Sequence, residues 1–409
     1  MPTPPPKSQR LISLDVFRGL TVGLMILVDD VGGVFPSINH SPWFGVTLAD
    51  FVMPYFLFGV GVSVGLVFKK VPNRVDATKK VLLRTIKLFV LGVLLQGGYF
   101  HGSHDLTYGV NVRKIRWLGM LQRISLGYLF ASMSEIWLVD NSAVESIMAF
   151  VKKYHFQWMV ALIVCAVYMC LLYGLFVPDW TFERQCVTPS YNCSYTQTVH
   201  CGVRGSLDPP CNAVGFVDRV LLGLEHMYQH PLYIITEQCS VNSPDYGPLP
   251  PKAPYWCLAP FDPEGILSSL MVAITSFIGL HFGHVLLHVK DNLQRLVLWV
   301  VTSLSLVLAG YVLVLLGIPL SKPLYTLSYL CVTVGASGLL LGIMFFAVDV
   351  KEYQKETLVM QWMGMNALIV YSLATCEIFP SVVQGFYLGS PENNLVDGTE
   401  WVLQYCRSS

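Results

Sequence analysis

Residues 11–50 combine acidic, basic and imidazole side chains in a segment that is otherwise apolar. Asp15, Arg18 and Asp29 lie in its apolar part, and His40 follows in a loop rich in glycine and proline. Charges inside a membrane helix are costly, so they point to a functional site. A carboxylate beside a histidine fixes the tautomer and raises the basicity, as a general base requires. This segment predicts acid–base or nucleophilic chemistry at a membrane face.

These charges would form one stripe along the first helix. Asp15 and Arg18 are three residues apart, so they share a helix face and can form an ion pair. Arg18 and Asp29 are eleven residues apart, which places them on one face and roughly 16 Å apart along the axis. The following loop could bring His40 toward Asp29 or Asp30. In the alternative, both aspartates belong to the loop and His40 is a solvated histidine without a role.

Other polar residues within apolar segments are weaker candidates. Arg123 could contact a phosphate or a carboxylate such as Asp15 or Asp50, and a structural ion pair is the alternative. Glu264 follows Asp262 and Pro263, which is an ordinary helix start, so a catalytic role for it is the less favoured interpretation.

A histidine triplet in the sixth apolar segment has the spacing that a metal site would use. His281, His284 and His288 would share one helix face, but no acid or cysteine lies close in sequence. Interfacial histidines are common, so the sequence predicts no metal.

The composition indicates a polytopic, all-α membrane protein. The chain has 409 residues, of which 54% are hydrophobic and 13% charged, against about 25% charged in soluble proteins. Lys+Arg and Asp+Glu are equal at 26 each, so nothing favours nucleic acid as a partner. The sequence predicts about nine membrane helices, at residues 11–30, 46–68, 80–98, 115–137, 156–177, 264–288, 294–318, 323–348 and 358–380.

Basic residues in short loops predict the orientation. Those of segments 69–87, 290–295 and 351–355 fall on one side if the N-terminal stub, residues 1–10, is cytoplasmic. His40 and the long loop 178–263 then lie on the lumenal side. Five helices precede that loop (11–177, with an active-site loop at 31–45), four follow it (264–380), and a lumenal tail completes the chain (381–409).

The long loop has the composition of a segment in an oxidising compartment. It contains six of the eleven cysteines, and an even number in a polar, proline-rich loop indicates disulfides. The pairing cannot be deduced from the sequence. Asn192 begins a glycosylation acceptor pattern, although both patterns could arise by chance in a cytosolic loop. The six cysteines are Cys186, Cys193, Cys201, Cys211, Cys239 and Cys257.

Several segments together resemble the heparan-alpha-glucosaminide N-acetyltransferase family, including its plant-type members. The first of them also resembles the opening motif of a wider group of transmembrane acyltransferases. They are SLDVFRG (13–19), NHSPWFGVTLADFVMPYFLFGVG (39–61), GMLQRI (119–124), FDPEGIL (261–267), SKPLYTLSYLC (321–331) and GMNALIVY (364–371).

The resemblance implies a reaction and a location. Members take acetyl-CoA from the cytosol and acetylate the amine of a terminal glucosamine in the lumen, so the implied partners are acetyl-CoA, a glycan and membrane lipid. The resemblance also implies a location in the lysosomal membrane, the vacuolar membrane or another endomembrane. It is compatible with a homodimer. His40 corresponds to the active-site histidine. The family's partner asparagine aligns with Asp29, which when ionised cannot donate a hydrogen bond to an acyl oxygen.

Two further departures concern the ends of the chain. Only a ten-residue stub precedes the first helix, whereas the lysosomal enzyme has a large lumenal region and another span there. Family members normally end with one more helix, so a truncated C-terminus is expected to impair folding or activity.

The sequence therefore predicts a transmembrane acetyltransferase. Arg18 and Arg123 would contact the phosphates of acetyl-CoA, with Asp15 and Asp50 nearby, and Asp29 would be the partner of His40. His40 would act as general base or carry the acetyl group transiently. The alternatives are a proton-coupled transporter of a small polar solute and an inactive structural homologue.

Overall fold

The computed structural model describes residues 11–32, 35, 37–69, 71–97, 115–139, 147–185, 194–228, 232–376, 378, 398, 401, 402 and 405. They form a helical bundle with a folded loop region at one end. The helices are α1 Ile12–Val31, α2 Leu48–Val67, α3 Arg74–Leu94, α4 Met120–Leu138, α5 Ile147–Gly174, α6 Ala213–Leu222, α7 Ile266–His288, α8 Asn292–Leu315, α9 Leu327–Phe345, α10 Leu358–Met365 and α11 Ala367–Thr375.

Each of the nine predicted membrane segments contains a described helix, but fewer of these helices meet the requirements of a membrane span. Five described helices are long and apolar enough: α2, α5, α7, α8 and α9 with its continuation to Val350. The pair α10 and α11 would make a sixth. The first helix carries four charged residues and α3 is rich in lysine and arginine. Five or six spans are thus supported, and nine stays a prediction.

The ninth segment is not the continuous helix that its hydropathy predicts. It breaks at Asn366, where α10 and α11 meet at 81°. The Asn366 side-chain amide donates to the carbonyl oxygen of Trp362 at 3.1 Å. Asparagine side chains compete in this way with the backbone bonds of a helix, so the polar residue ends α10.

Three of the connections between helices meet at one end of the bundle. The indole Nε1 of Trp43 donates to the carbonyl oxygen of Leu207 at 2.9 Å, and the Gly45 amide donates to that of Leu320 at 2.8 Å. The connections that follow α1, α5 and α8 are therefore in contact. We call this the His40 end of the bundle, where α1 ends and where α2, α4, α7 and α9 begin.

Close backbone contacts fix the helices that carry the polar residues. The second and seventh helices run parallel, and a Cβ added at Gly61 would lie 2.1 Å from the carbonyl oxygen of Ser276. The first helix meets α10 as closely, because a Cβ at Gly364 would lie 1.7 Å from the carbonyl oxygen of Asp15. Small residues allow such approach in membrane bundles.

The region between α5 and α7 is held by short elements and disulfides. Strands β1 (Phe176–Val177) and β4 (Val203–Arg204) pair antiparallel, as do β2 (Trp180–Gln185) and β3 (Ser194–Val199). Disulfides join Cys201 to Cys211 and Cys239 to Cys257. The disulfide prediction is thus confirmed for four cysteines, and Cys186, Asn192 and Cys193 lie outside the described residues.

Candidate active site

The loop that carries His40 is held by the first turn of α2. Thr47 caps the helix and Asp50 completes a reciprocal capping box with it. The Oδ2 atom of Asp50 also accepts from the backbone amide of Ser41 at 3.2 Å and from that of Thr47 at 3.0 Å. One carboxylate oxygen therefore caps the helix and positions the loop.

The other oxygen of Asp50 contacts the imidazole. Asp50 Oδ1 lies 2.9 Å from His40 Nδ1, and the Asp50 side chain is fully buried. Because an ionised carboxylate can only accept, this bond assigns the proton to Nδ1 and makes Nε2 the accepting nitrogen of the ring. The carboxylate that contacts His40 therefore belongs to Asp50, which the sequence predicts to lie near acetyl-CoA. Asp29, the partner that the sequence predicts, is not the residue in this contact.

A lysine far away in the sequence completes the group. Lys322 Nζ lies 2.9 Å from His40 Nδ1, 3.2 Å from Nε2 and 3.7 Å from Asp50 Oδ1. Lys322 lies in the tight connection between α8 and α9, where its carbonyl oxygen accepts from the amide of Tyr325. Tyr325 has a φ of 54°, a strained value for a bulky residue that is found mainly at functional sites. Sequence reasoning missed Lys322, and a lysine directly before an apolar helix was the available signal.

A second cluster of charges adjoins the first at the start of α7. Arg116 binds Asp262 through Nε at 2.9 Å and also donates to Glu264 through Nη2. Glu264 lines the same pocket as His40 and Lys322. The helix start at 262–265 is therefore more than an ordinary cap, and the less favoured interpretation of Glu264 gains support from its position.

Burial and the neighbouring charges favour the neutral form of the His40 ring. Burial and the positive charge of Lys322 lower the pKa of His40 by more than Asp50 raises it. Burial likewise lowers the pKa of Lys322, although Asp50 and Glu264 oppose this. For Glu264, the nearby Arg116, Arg123 and Lys322 outweigh burial and lower the pKa. The expectation that a carboxylate alone would make His40 more basic is thus reversed by its neighbours.

A narrow pocket leads from this group into the bundle. His40, Asp29, Glu264 and Lys322 provide its polar lining. Its volume is only about 20 Å³, which is room for about one water molecule. The apolar lining residues are Met25, Val28, Ala49, Val52, Met53, Phe56, Met120 and Ile124, with Tyr371 contributing from α11.

Asp15 and Arg18 share a helix face as the spacing predicts, but they lie far from His40. Arg18 Nη1 is 3.5 Å from Asp15 Oδ1, and Nη2 donates to Ser63 of α2. Thirteen residues of helix separate Ser63 from Asp50, which is about 20 Å at 1.5 Å per residue. The Arg18 side chain is one-third exposed, so it can still receive a ligand.

Arg123 lies in the first turns of α4 and is almost fully buried at the His40 end. Its guanidinium donates to Ser268 and packs over the ring of Tyr325, with 5.2 Å between the carbon Cζ and the ring centroid. The structure therefore does not bring Arg123 together with Arg18, and a shared role at the same phosphates does not fit this geometry.

Two members of the histidine triplet of α7 make hydrogen bonds to neighbouring helices. His284 Nε2 lies 2.9 Å from Glu135 Oε2 of α4, and His288 Nε2 lies 2.9 Å from the hydroxyl of Tyr154. Among the described residues, no three potential ligands are grouped around one metal position. Glu135 of α4 is thus the acidic partner that the sequence around the triplet lacks.

Comparison with known proteins identifies relatives of this chain. The profile of the catalytic region of heparan-alpha-glucosaminide N-acetyltransferase matches residues 10–188. Heparan-alpha-glucosaminide N-acetyltransferase of Mus musculus is 28% identical over 384 residues, which cover 89% of this chain and 53% of the relative. The Homo sapiens protein of the same name is 27% identical over 389 residues, covering 88% and 52%. The chain spans about half the length of these relatives, and the matches confirm the family resemblance.

Proposed function

Starting from this relationship to the heparan-alpha-glucosaminide N-acetyltransferases, we propose that the chain transfers the acetyl group of cytosolic acetyl-CoA to an amino sugar on the lumenal side of a membrane. The observation that carries the proposal is the group formed by His40, Asp50 and Lys322 at the end of an apolar pocket. A neutral imidazole with its proton on Nδ1 suits either base or nucleophile catalysis.

The lining of the pocket marks the direction that the pantetheine arm of the co-substrate would take, and the pocket must widen for it because about 20 Å³ holds only one water molecule. Apolar side chains of α1 and α2, from Met25 to Phe56, extend from Asp29 toward the level of Arg18. Arg18 is partly exposed and offers a guanidinium for a phosphate at the cytosolic end. Arg123 has no part in that contact and instead supports Tyr325 and the loop of Lys322.

His40, Asp50 and Lys322 each have a separate role in the proposed reaction. His40 Nε2 accepts the proton of the acceptor ammonium or amine, or attacks the thioester carbonyl carbon and releases the CoA thiolate. Asp50 holds the Nδ1 proton and stabilises the ring as positive charge develops. The ammonium of Lys322 stabilises the negative oxygen of the tetrahedral intermediate. A burst of CoA release without acceptor would identify the route through acetyl-histidine.

The experiment that tests the proposal is radiolabelled acetyl transfer by the purified full chain. We expect acetyl-CoA to be consumed in proportion to acetylated product when glucosamine and its oligosaccharides are supplied. A transporter would instead accumulate solute in proteoliposomes without consuming acetyl-CoA. Product with none of a panel of amino sugars and hydroxy sugars would count against the acetyltransferase and favour that alternative or an inactive homologue.

The acid limb of the pH–rate profile should depend on Lys322. His40 works as the neutral ring, which persists above its pKa, and that pKa is below the ordinary value of about 6.5. Activity should therefore be lost only as the pH falls below 6.5. Lys322→Gln removes a charge that lowers this pKa, so the acid limb of kcat/KM should move up by about one pH unit.

The same substitution should lower kcat by about 10²-fold, since it removes one donor to the developing oxyanion. Lys322→Arg keeps the charge and serves as the matched control, with its acid limb close to that of the unmodified chain. An acid limb that stays in place in Lys322→Gln would show that Lys322 does not act on His40.

A further inference from the structure

A large groove opens beside the loop of His40 at the same end of the bundle. Its volume is about 730 Å³, within the range of pockets that hold small molecules. It begins only two residues after His40, and Phe44 is at most about 14 Å of extended chain from it. Its principal lining residues are Trp43, Phe44, Asp208, Glu237, Gln238 and Trp256.

The walls of this groove are fixed by covalent and hydrogen bonds. The Cys201–Cys211 disulfide closes the short segment that contains Asp208. The Cys239–Cys257 disulfide joins the segment next to Glu237 to the segment that carries Trp256. The buried indole of Trp43 donates to the carbonyl oxygen of Leu207, so the loop of His40 is attached to the same wall. A pre-organised site loses less free energy on binding than a mobile one.

The polar lining of the groove is acidic. Asp208 and Glu237 contribute carboxylates, and no lysine or arginine lines the groove among the residues that the structure describes. The surrounding sequence, residues 178–263, has eight acidic and four basic residues. A sulfated polyanion would meet repulsion here, whereas protein sites for sulfate or phosphate groups use arginine and lysine.

We propose that this groove binds the acceptor, and that the acceptor is an unsulfated glycan carrying free glucosamine amines. This inference rests on the proposed function. It names a cationic or neutral glycan, rather than a sulfated one, as the acceptor. Aromatic faces at Phe44 and Trp256 pack against the apolar C–H faces of sugar rings and attract ammonium groups. The carboxylates of Asp208 and Glu237 accept hydrogen bonds from ammonium and hydroxyl groups.

The test is calorimetric binding to the purified full chain at pH 6 without acetyl-CoA. The probes are a glucosamine tetrasaccharide, its fully N-acetylated form and a heparin-derived tetrasaccharide. We expect the free amine form to bind at least tenfold more tightly than either of the others. Asp208→Asn with Glu237→Gln should weaken its binding at least tenfold, and added salt should do the same in part.

Two controls separate this inference from the proposed function. Glu225→Gln removes an exposed acid of the same region outside the groove, so it should leave binding unchanged. His155→Ala, at an exposed residue that does not line the groove, should also leave binding unchanged. Tighter binding of the heparin fragment, or unchanged binding by the double variant, would overturn the inference. Binding as expected without acetyl transfer would instead count against the proposed function.

Discussion

Replacing His40 by alanine is expected to lower acetyl transfer by about 10⁴-fold or more. The substitution removes the Nε2 lone pair on which both routes depend and leaves Asp50 and Lys322 without their shared partner. Loss of a catalytic histidine that acts together with its neighbours has effects of this order. The measurement is the initial rate of radiolabelled transfer at saturating acetyl-CoA.

His155→Ala is the matched control for this prediction. His155 is exposed at the start of α5, and its imidazole contacts the carbonyl oxygen of Lys152. The control should retain the full rate, and His40→Ala should elute as a folded protein on size-exclusion chromatography. A rate for folded His40→Ala within tenfold of the original would refute the proposed mechanism.

Gly364→Ala is expected to destabilise the bundle by about 3 kcal/mol or more. Its new Cβ would lie 1.7 Å from the carbonyl oxygen of Asp15 and 2.8 Å from the amide nitrogen of Gly19. A Cβ at Gly19 would equally meet the carbonyl oxygen of Met360 at 1.7 Å. Because backbone rather than a flexible side chain blocks the space, α1 and α10 must move apart. The thermal midpoint of the detergent-solubilised protein measures the effect.

Gly342→Ala provides a matched control in another helix. Gly342 lies in α9, and a Cβ added there has open space within 4 Å. Alanine also has the higher helix propensity, so this variant should be neutral or slightly stabilising. Equal midpoints for Gly364→Ala and the original chain would mean that α1 and α10 are not in contact.

Local patterns were enough to predict much of the fold. Each of the nine apolar runs contains a described helix, and the i, i+3 spacing predicted the ion pair of Asp15 and Arg18. The break at Asn366 was missed because one side-chain hydrogen bond ends α10 within a continuous apolar run. Hydropathy measures the cost of burial and is insensitive to such a bond.

The site was less accessible to sequence reasoning because its contacts are not local. His40 stood out by residue type and loop position, whereas its carboxylate was sought eleven residues before it, at Asp29, and lies ten residues after it, at Asp50. Lys322 is 282 residues away, and no periodicity links it to the loop. The depth of Arg123 depends on which end of α4 faces Tyr325, which only the packed bundle determines.

The wide separation of these residues has a consequence for biosynthesis. Each described disulfide closes a short loop, with sequence separations of 10 and 18 between the paired cysteines, so the region between α5 and α7 can fold soon after it is translated. The ammonium beside His40 arrives only when residue 322 has been made and α9 has docked. A nascent chain that ends at residue 188 already carries the whole matched family segment, yet it lacks both Glu264 and Lys322. The ribosome thus completes the segment that the family profile matches before it makes two of the residues that line the pocket of His40.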